Sequence, residues 1–112
     1  MGVGCGGSSP TTPETPATNP NTFTYTSAGV APKELTVSPG TRVLFANNDS
    51  RRHDVSSDPH PDHSDCTELN SVGVLNAGQS RETGNLVAVR TCGFHDHDNP
   101  DNANLKGRIV VR

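Results

Sequence analysis

Seven side chains of two kinds dominate the chemical potential of this sequence. His53, His60 and His63 share one stretch with Cys66, and His95 and His97 share a second with Cys92. Together these are all five histidines of the 112-residue chain and two of its three cysteines. Imidazole nitrogen and thiolate sulfur are the usual protein ligands of copper and zinc. A lone histidine is usually structural or solvated, but random placement seldom gathers every histidine into two segments. The first expectation is a metal site built where the two stretches meet.

Other readings compete with it. His60-x-x-His63-x-x-Cys66 and Cys92-x-x-His95 have the short gaps of structural zinc sites. Such sites generally replace a hydrophobic core rather than join a complete one. The interleaved acids Asp58, Asp62, Asp65, Asp96, Asp98 and Asp101 could orient ligating imidazoles from outside, or simply be solvated. Asp96-His97-Asp98-Asn99 lacks the glycine and glutamate of a calcium-binding EF-hand loop. Catalysis has little support: there is no serine-nucleophile motif, phosphate-binding glycine loop or convincing carboxylate pair, and His53 beside Asp54 is too slight a basis. No enzyme activity is expected. A formal charge of −3 with no basic patch argues against nucleic acid, leaving Arg51-Arg52 as a solvated loop pair. No apolar run approaches the ~20 residues of a membrane-spanning helix.

The elements that must position these residues read as strands. After residue 22, short apolar stretches alternate with turn residues every eight to twelve positions, the pattern of a sandwich or barrel. Expected strands are Thr22–Thr26, Glu34–Val37, Arg42–Asn47, His53–Ser56, Val72–Leu75, Leu86–Arg90 and Arg108–Arg112. Alternation turns Leu35 and Val37, Val43 and Phe45, Val87 and Val89, and Ile109 and Val111 inward. Ser38-Pro39-Gly40 is a turn in which proline presets φ and glycine accepts a positive one. Residues 1–21, with a dense run of Gly, Ser, Thr and Pro, read as an extended linker ahead of a single domain over 22–112.

Three segments of that domain resemble the cupredoxins, particularly plastocyanin-like domains and in part phytocyanins. They are Leu35 to Asp49, like the paired strands before the first copper ligand; Arg52-His53-Asp54-Val55, placed like the upstream copper histidine; and Cys92-Gly93-Phe94-His95 followed by Leu105 to Val111, like the Cys-x-x-His and closing strand. The resemblance implies an all-β, Greek-key sandwich of about seven to eight strands with copper as cofactor. It maps the ligands onto His53, Cys92 and His95. The axial position, normally methionine, falls on Leu105, which cannot coordinate, and His60, His63 and His97 remain as further candidates.

Cys66 makes that mapping ambiguous. Outside the cytoplasm two cysteines of one domain usually pair, and phytocyanins carry a disulfide cysteine at a similar distance after their first copper histidine. A free Cys92 implies a thiolate-bound, blue site. A Cys66–Cys92 disulfide leaves copper to imidazoles, a donor set suited to Cu(II) with weak colour.

The segment Gly2-Val3-Gly4-Cys5-Gly6-Gly7 resembles the end of a bacterial lipoprotein signal, which implies lipidation at Cys5 and an anchored domain in the periplasm or on the cell surface. The expected function is extracytoplasmic copper binding, as an electron carrier with a redox protein partner or as a copper-handling protein. The alternative is a zinc- or metal-stabilised accessory or adhesion sandwich without redox chemistry. No nucleic-acid partner is expected, and the membrane is reached only through the lipid.

Overall fold

The computed structural model describes residues 20–60 and 62–112, so Cys5 and most of the expected linker lie outside the described residues. Nine strands form two sheets among them. In chain order these are β1 (Thr22–Thr26), β2 (Gly29–Ala31), β3 (Glu34–Val37), β4 (Leu44–Asn47), β5 (His53–Ser57), β6 (Gly73–Leu75), β7 (Ser80–Glu82), β8 (Arg90–Asp96) and β9 (Gly107–Val111). A one-turn helix, α1 (Thr67–Asn70), and a 3-10 turn over Ala103–Leu105 interrupt them. One sheet has the order β2-β1-β4-β7 and the other β3-β9-β8-β5-β6. β1 pairs in parallel with β4, and β3 with β9; the remaining pairs are antiparallel.

The two sheets close over one core because their apolar residues alternate. Phe23 and Tyr25 on β1, Phe45 on β4, Val55 on β5, Cys92 and Phe94 on β8, and Ile109 and Val111 on β9 are buried. Phe23 stacks on Phe45 at 5.1 Å, and both meet Phe94 edge-on at 4.8 and 5.0 Å. Such aromatic pairs add about 0.5–1.5 kcal/mol each beyond the area they bury. Gly107 is required beneath Phe94, since a Cβ there would come within 2.6 Å of its Cζ. At the Ser38-Pro39-Gly40 turn, Gly40 takes φ +91° and Thr41 N donates to Ser38 O at 3.2 Å.

The expected strand at Leu86–Arg90 is not formed. Leu86 makes only an isolated bridge to Thr41, and the strand begins at Arg90 and runs on to Asp96. The reason is topological: β7 belongs to one sheet and β8 to the other, so the intervening chain crosses between sheets and cannot join a ladder. Val87 and Val89, expected inside, are 62% and 70% exposed. Leu35 is only partly buried, whereas Val37, Val43, Phe45, Ile109 and Val111 are buried as their alternation requires.

Candidate metal centre

Strands β5 and β8 bring the two histidine-bearing stretches together. They pair antiparallel, with Ser56 opposite His95 and Ser57 opposite Phe94. His97 N donates to Asp54 O at 2.7 Å, prolonging the ladder past the end of β8. Beyond β5 the chain folds back over this pair. Asp58 N donates to Gly93 O at 2.9 Å, Asp65 N to Asp58 O at 2.9 Å, and Cys66 N to Ser57 Oγ at 2.8 Å. Asn70, the last residue of α1, accepts from Ser57 N at 2.9 Å and donates to His63 O at 2.8 Å. A disulfide between Cys66 and Cys92, with Cα atoms 5.4 Å apart, ties the returning segment to β8.

This scaffold gathers His60, His63, His95 and His97. One nitrogen from each ring lies within 4.8 Å of one nitrogen of every other. His63 stacks on His95 with ring centroids 5.0 Å apart, while His60 stands 5.3 Å from each of these two and 5.2 Å from His97. His63 adopts φ +53°, a left-handed conformation that costs an L-residue about 1–2 kcal/mol and is found preferentially where function imposes it. His63 N donates to Pro59 O at 2.6 Å, which holds this turn.

The protonation pattern of the two inner rings is fixed from behind. His95 Nδ1 lies 2.7 Å from Asp58 Oδ1, and His63 Nδ1 lies 2.9 Å from Ser57 O. Both partners are acceptors, so each Nδ1 carries a hydrogen, and in the neutral form of either ring Nε2 is then the atom with the lone pair. His63 Nε2 is 3.1 Å from His97 Nδ1. His95 is 1% exposed, and its Nε2 is a buried polar atom without a hydrogen-bond partner. Such an orphan costs about 1–3 kcal/mol unless something occupies it. At His60, desolvation, followed by repulsion from His95, His97 and His63, holds the imidazole below its ordinary value. That favours the neutral ring a metal requires. Four imidazoles gathered around one point are a fitting donor set for a divalent transition-metal ion.

His53 and Cys92 differ from the sequence expectation. His53 stands outside the cluster: its Nδ1 lies 2.7 Å from Asp96 Oδ2 and its Nε2 2.9 Å from Asp49 Oδ2. Both of its nitrogens contact buried carboxylates, and it is not among the four grouped rings. Tyr25 stacks on its ring at 4.6 Å, making His53 part of the core. Cys92 offers no thiolate because its sulfur is bonded to Cys66. Leu105 is buried in the 3-10 turn as an ordinary core residue. Of the six acids, Asp58 meets His95, Asp96 meets His53 and Asp98 pairs with Arg52 at 2.9 Å. Sequence reasoning did not single out Asp49, Ser57 or Gly93. The only signal for Asp49 was its place four residues before His53, which is uninformative outside a helix.

No protein-family model and no curated protein sequence matches the chain. Solved structures do resemble it. A purple cupredoxin from Nitrosopumilus maritimus is 16% identical, with a TM-score of 0.60, over 81% of this chain and 98% of that one. A plastocyanin from Dryopteris crassirhizoma is 20% identical at TM-score 0.62, over 81% and 99%. A variant of amicyanin with Cu(I) is 18% identical at TM-score 0.63, over 81% and 80%. At these identities the likeness concerns architecture. The chain therefore has the cupredoxin-like β-sandwich fold, and its four-histidine cluster is a site that could hold a metal ion.

Proposed function

We propose that this chain is an extracytoplasmic copper-binding protein that holds its ion through His60, His63, His95 and His97, without a thiolate. The observation that carries the reading is His95 Nε2, a buried nitrogen with no partner, on a ring whose other nitrogen is committed to Asp58. Copper is favoured over zinc because the cluster joins a complete sandwich, whereas a structural zinc usually substitutes for a missing core. The copper protein among the structural neighbours adds support from architecture. When bound, copper would supply a Lewis-acidic, one-electron redox centre. An all-imidazole donor set suits Cu(II) and reorganises more on reduction than a thiolate site, so copper capture or delivery is the preferred role. A membrane-anchored location through Cys5 belongs to the same proposal, as does an extracytoplasmic setting, which the disulfide supports.

Titrating the desalted protein with Cu(II) should give one bound ion per chain, nitrogen hyperfine structure in its EPR spectrum and only pale colour. Alanine at His63 or His95 should abolish tight binding, while folded His53→Ala should keep the stoichiometry. An intense thiolate charge-transfer band, or no copper retained after desalting, would overturn the assignment. Preferential retention of Zn(II) in direct competition would move the reading to a metal-stabilised accessory sandwich. A second role, electron carriage, is favoured by the likeness to plastocyanin and amicyanin. Rapid electron self-exchange in the copper-loaded protein would select it over copper handling.

A further inference from the structure

Asp58 does more than neighbour the cluster. Its carboxylate has one oxygen on His95 Nδ1 at 2.7 Å, and its other oxygen lies over Gly93, where a Cβ would come within 2.3 Å of Oδ2. Its backbone is held at both ends, by its N–H on Gly93 O and its carbonyl under Asp65 N, each at 2.9 Å. The carboxylate is therefore seated against the one residue of β8 small enough to admit it, two positions before the ring it contacts. The preceding residue acts in parallel, since Ser57 O receives Nδ1 of His63.

We propose that Asp58 is the positioning residue of the centre: it fixes the His95 tautomer and, with the Ser57 carbonyl acting on His63, presets the Nε2 atoms of both inner imidazoles for the ion. The inference rests on the four-histidine reading for its metal but not for its tautomer. An unrestrained neutral imidazole places its proton mostly on Nε2, the atom that must stay bare here. The hydrogen bond to Asp58 reverses that preference, and the missing Cβ at Gly93 leaves the room the carboxylate needs to make it. Outer partners of this kind typically change metal affinity by 10–100-fold.

The experiment uses the full chain with 15N-labelled histidine. In the metal-free wild type, NMR should show His95 with its proton on Nδ1. Asp58→Ala should move that proton to Nε2 and weaken Cu(II) binding by about 10–100-fold. Asp58→Asn keeps an acceptor oxygen and should restore the tautomer and most of the affinity. Gly93→Ala, which displaces the carboxylate without deleting it, should reproduce the Asp58→Ala tautomer and covers the case in which Asp58→Ala fails to fold. A purely structural role would lower stability in the variants and leave the tautomer unchanged; that result overturns the proposal. If the wild type binds no copper while the tautomer still follows Asp58, the copper reading fails and the positioning role stands.

Discussion

His53 and His95 occupy adjacent strands, and each is bound by carboxylate, yet only His95 keeps a buried ring nitrogen without a partner. His95 gives one nitrogen to Asp58, whereas His53 gives one to Asp96 and the other to Asp49. A single additional hydrogen bond separates the two rings. Asp49 records the same contact from the other side. The hydrogen bond from His53 lowers its carboxyl most, against the opposing effect of burial, and Ser50 N–H and Arg51 assist, giving a value of about 2. A carboxyl held below its unfolded value near ~4 stabilises the fold fully above that pH and loses the contribution as pH falls toward about 2. Urea unfolding midpoints should therefore decline between about pH 4 and 2 in the wild type, and Asp49→Asn should flatten that part of the profile. An unchanged slope would mean that the native carboxylate has no such preference.

The disulfide is what joins two elements into one centre. Cys66 lies three residues after His63, and Cys92 three before His95, so the bond clamps the returning loop to β8 beside both inner histidines. With a sequence separation of 26, its loss should release about 3–4 kcal/mol of loop-closure restraint to the unfolded chain. Paired Cys66→Ser and Cys92→Ser substitution, which leaves no thiol at either position, should lower the urea-derived stability by that order and weaken Cu(II) binding even in protein that stays folded. Unaltered affinity would show that backbone hydrogen bonds alone hold the loop. Much at this scale was legible in the sequence. Strands β1 and β3 lie where the alternation put them, and all but one of the histidines from the two stretches meet. Edge strand β7 was invisible because all three of its residues are exposed and leave no apolar pattern. The crossover holding Val87 and Val89 was misread for the opposite reason, since its alternation mimics a half-buried strand. Nor could spacing show that the fold would supply His53 with two carboxylates, because those contacts span the loop before β5 and the end of β8.

At the scale of the whole molecule, a compact aromatic core between two sheets supports a site at the margin of one of them. Among the described residues no helix is long and apolar enough to cross a membrane. Most polar groups buried in the interior are hydrogen-bonded, as at Asn47, whose Nδ2 donates to Arg51 O and Leu75 O at 2.8 Å each. His95 Nε2, like Tyr25 Oη and Arg90 Nε among the described residues, departs from that economy: it has left water without gaining a hydrogen bond in exchange. An ion that fills this want and binds the folded chain more tightly than the unfolded one raises stability by mass action, by up to about 2.7 kcal/mol at a hundredfold excess over Kd. Differential scanning calorimetry should then show Tm climbing by roughly 10–20 °C with added Cu(II) and falling back under a chelator. A Tm indifferent to copper would contradict the coupling. Loss of the ion would thus be felt throughout the fold and not at the histidine cluster alone.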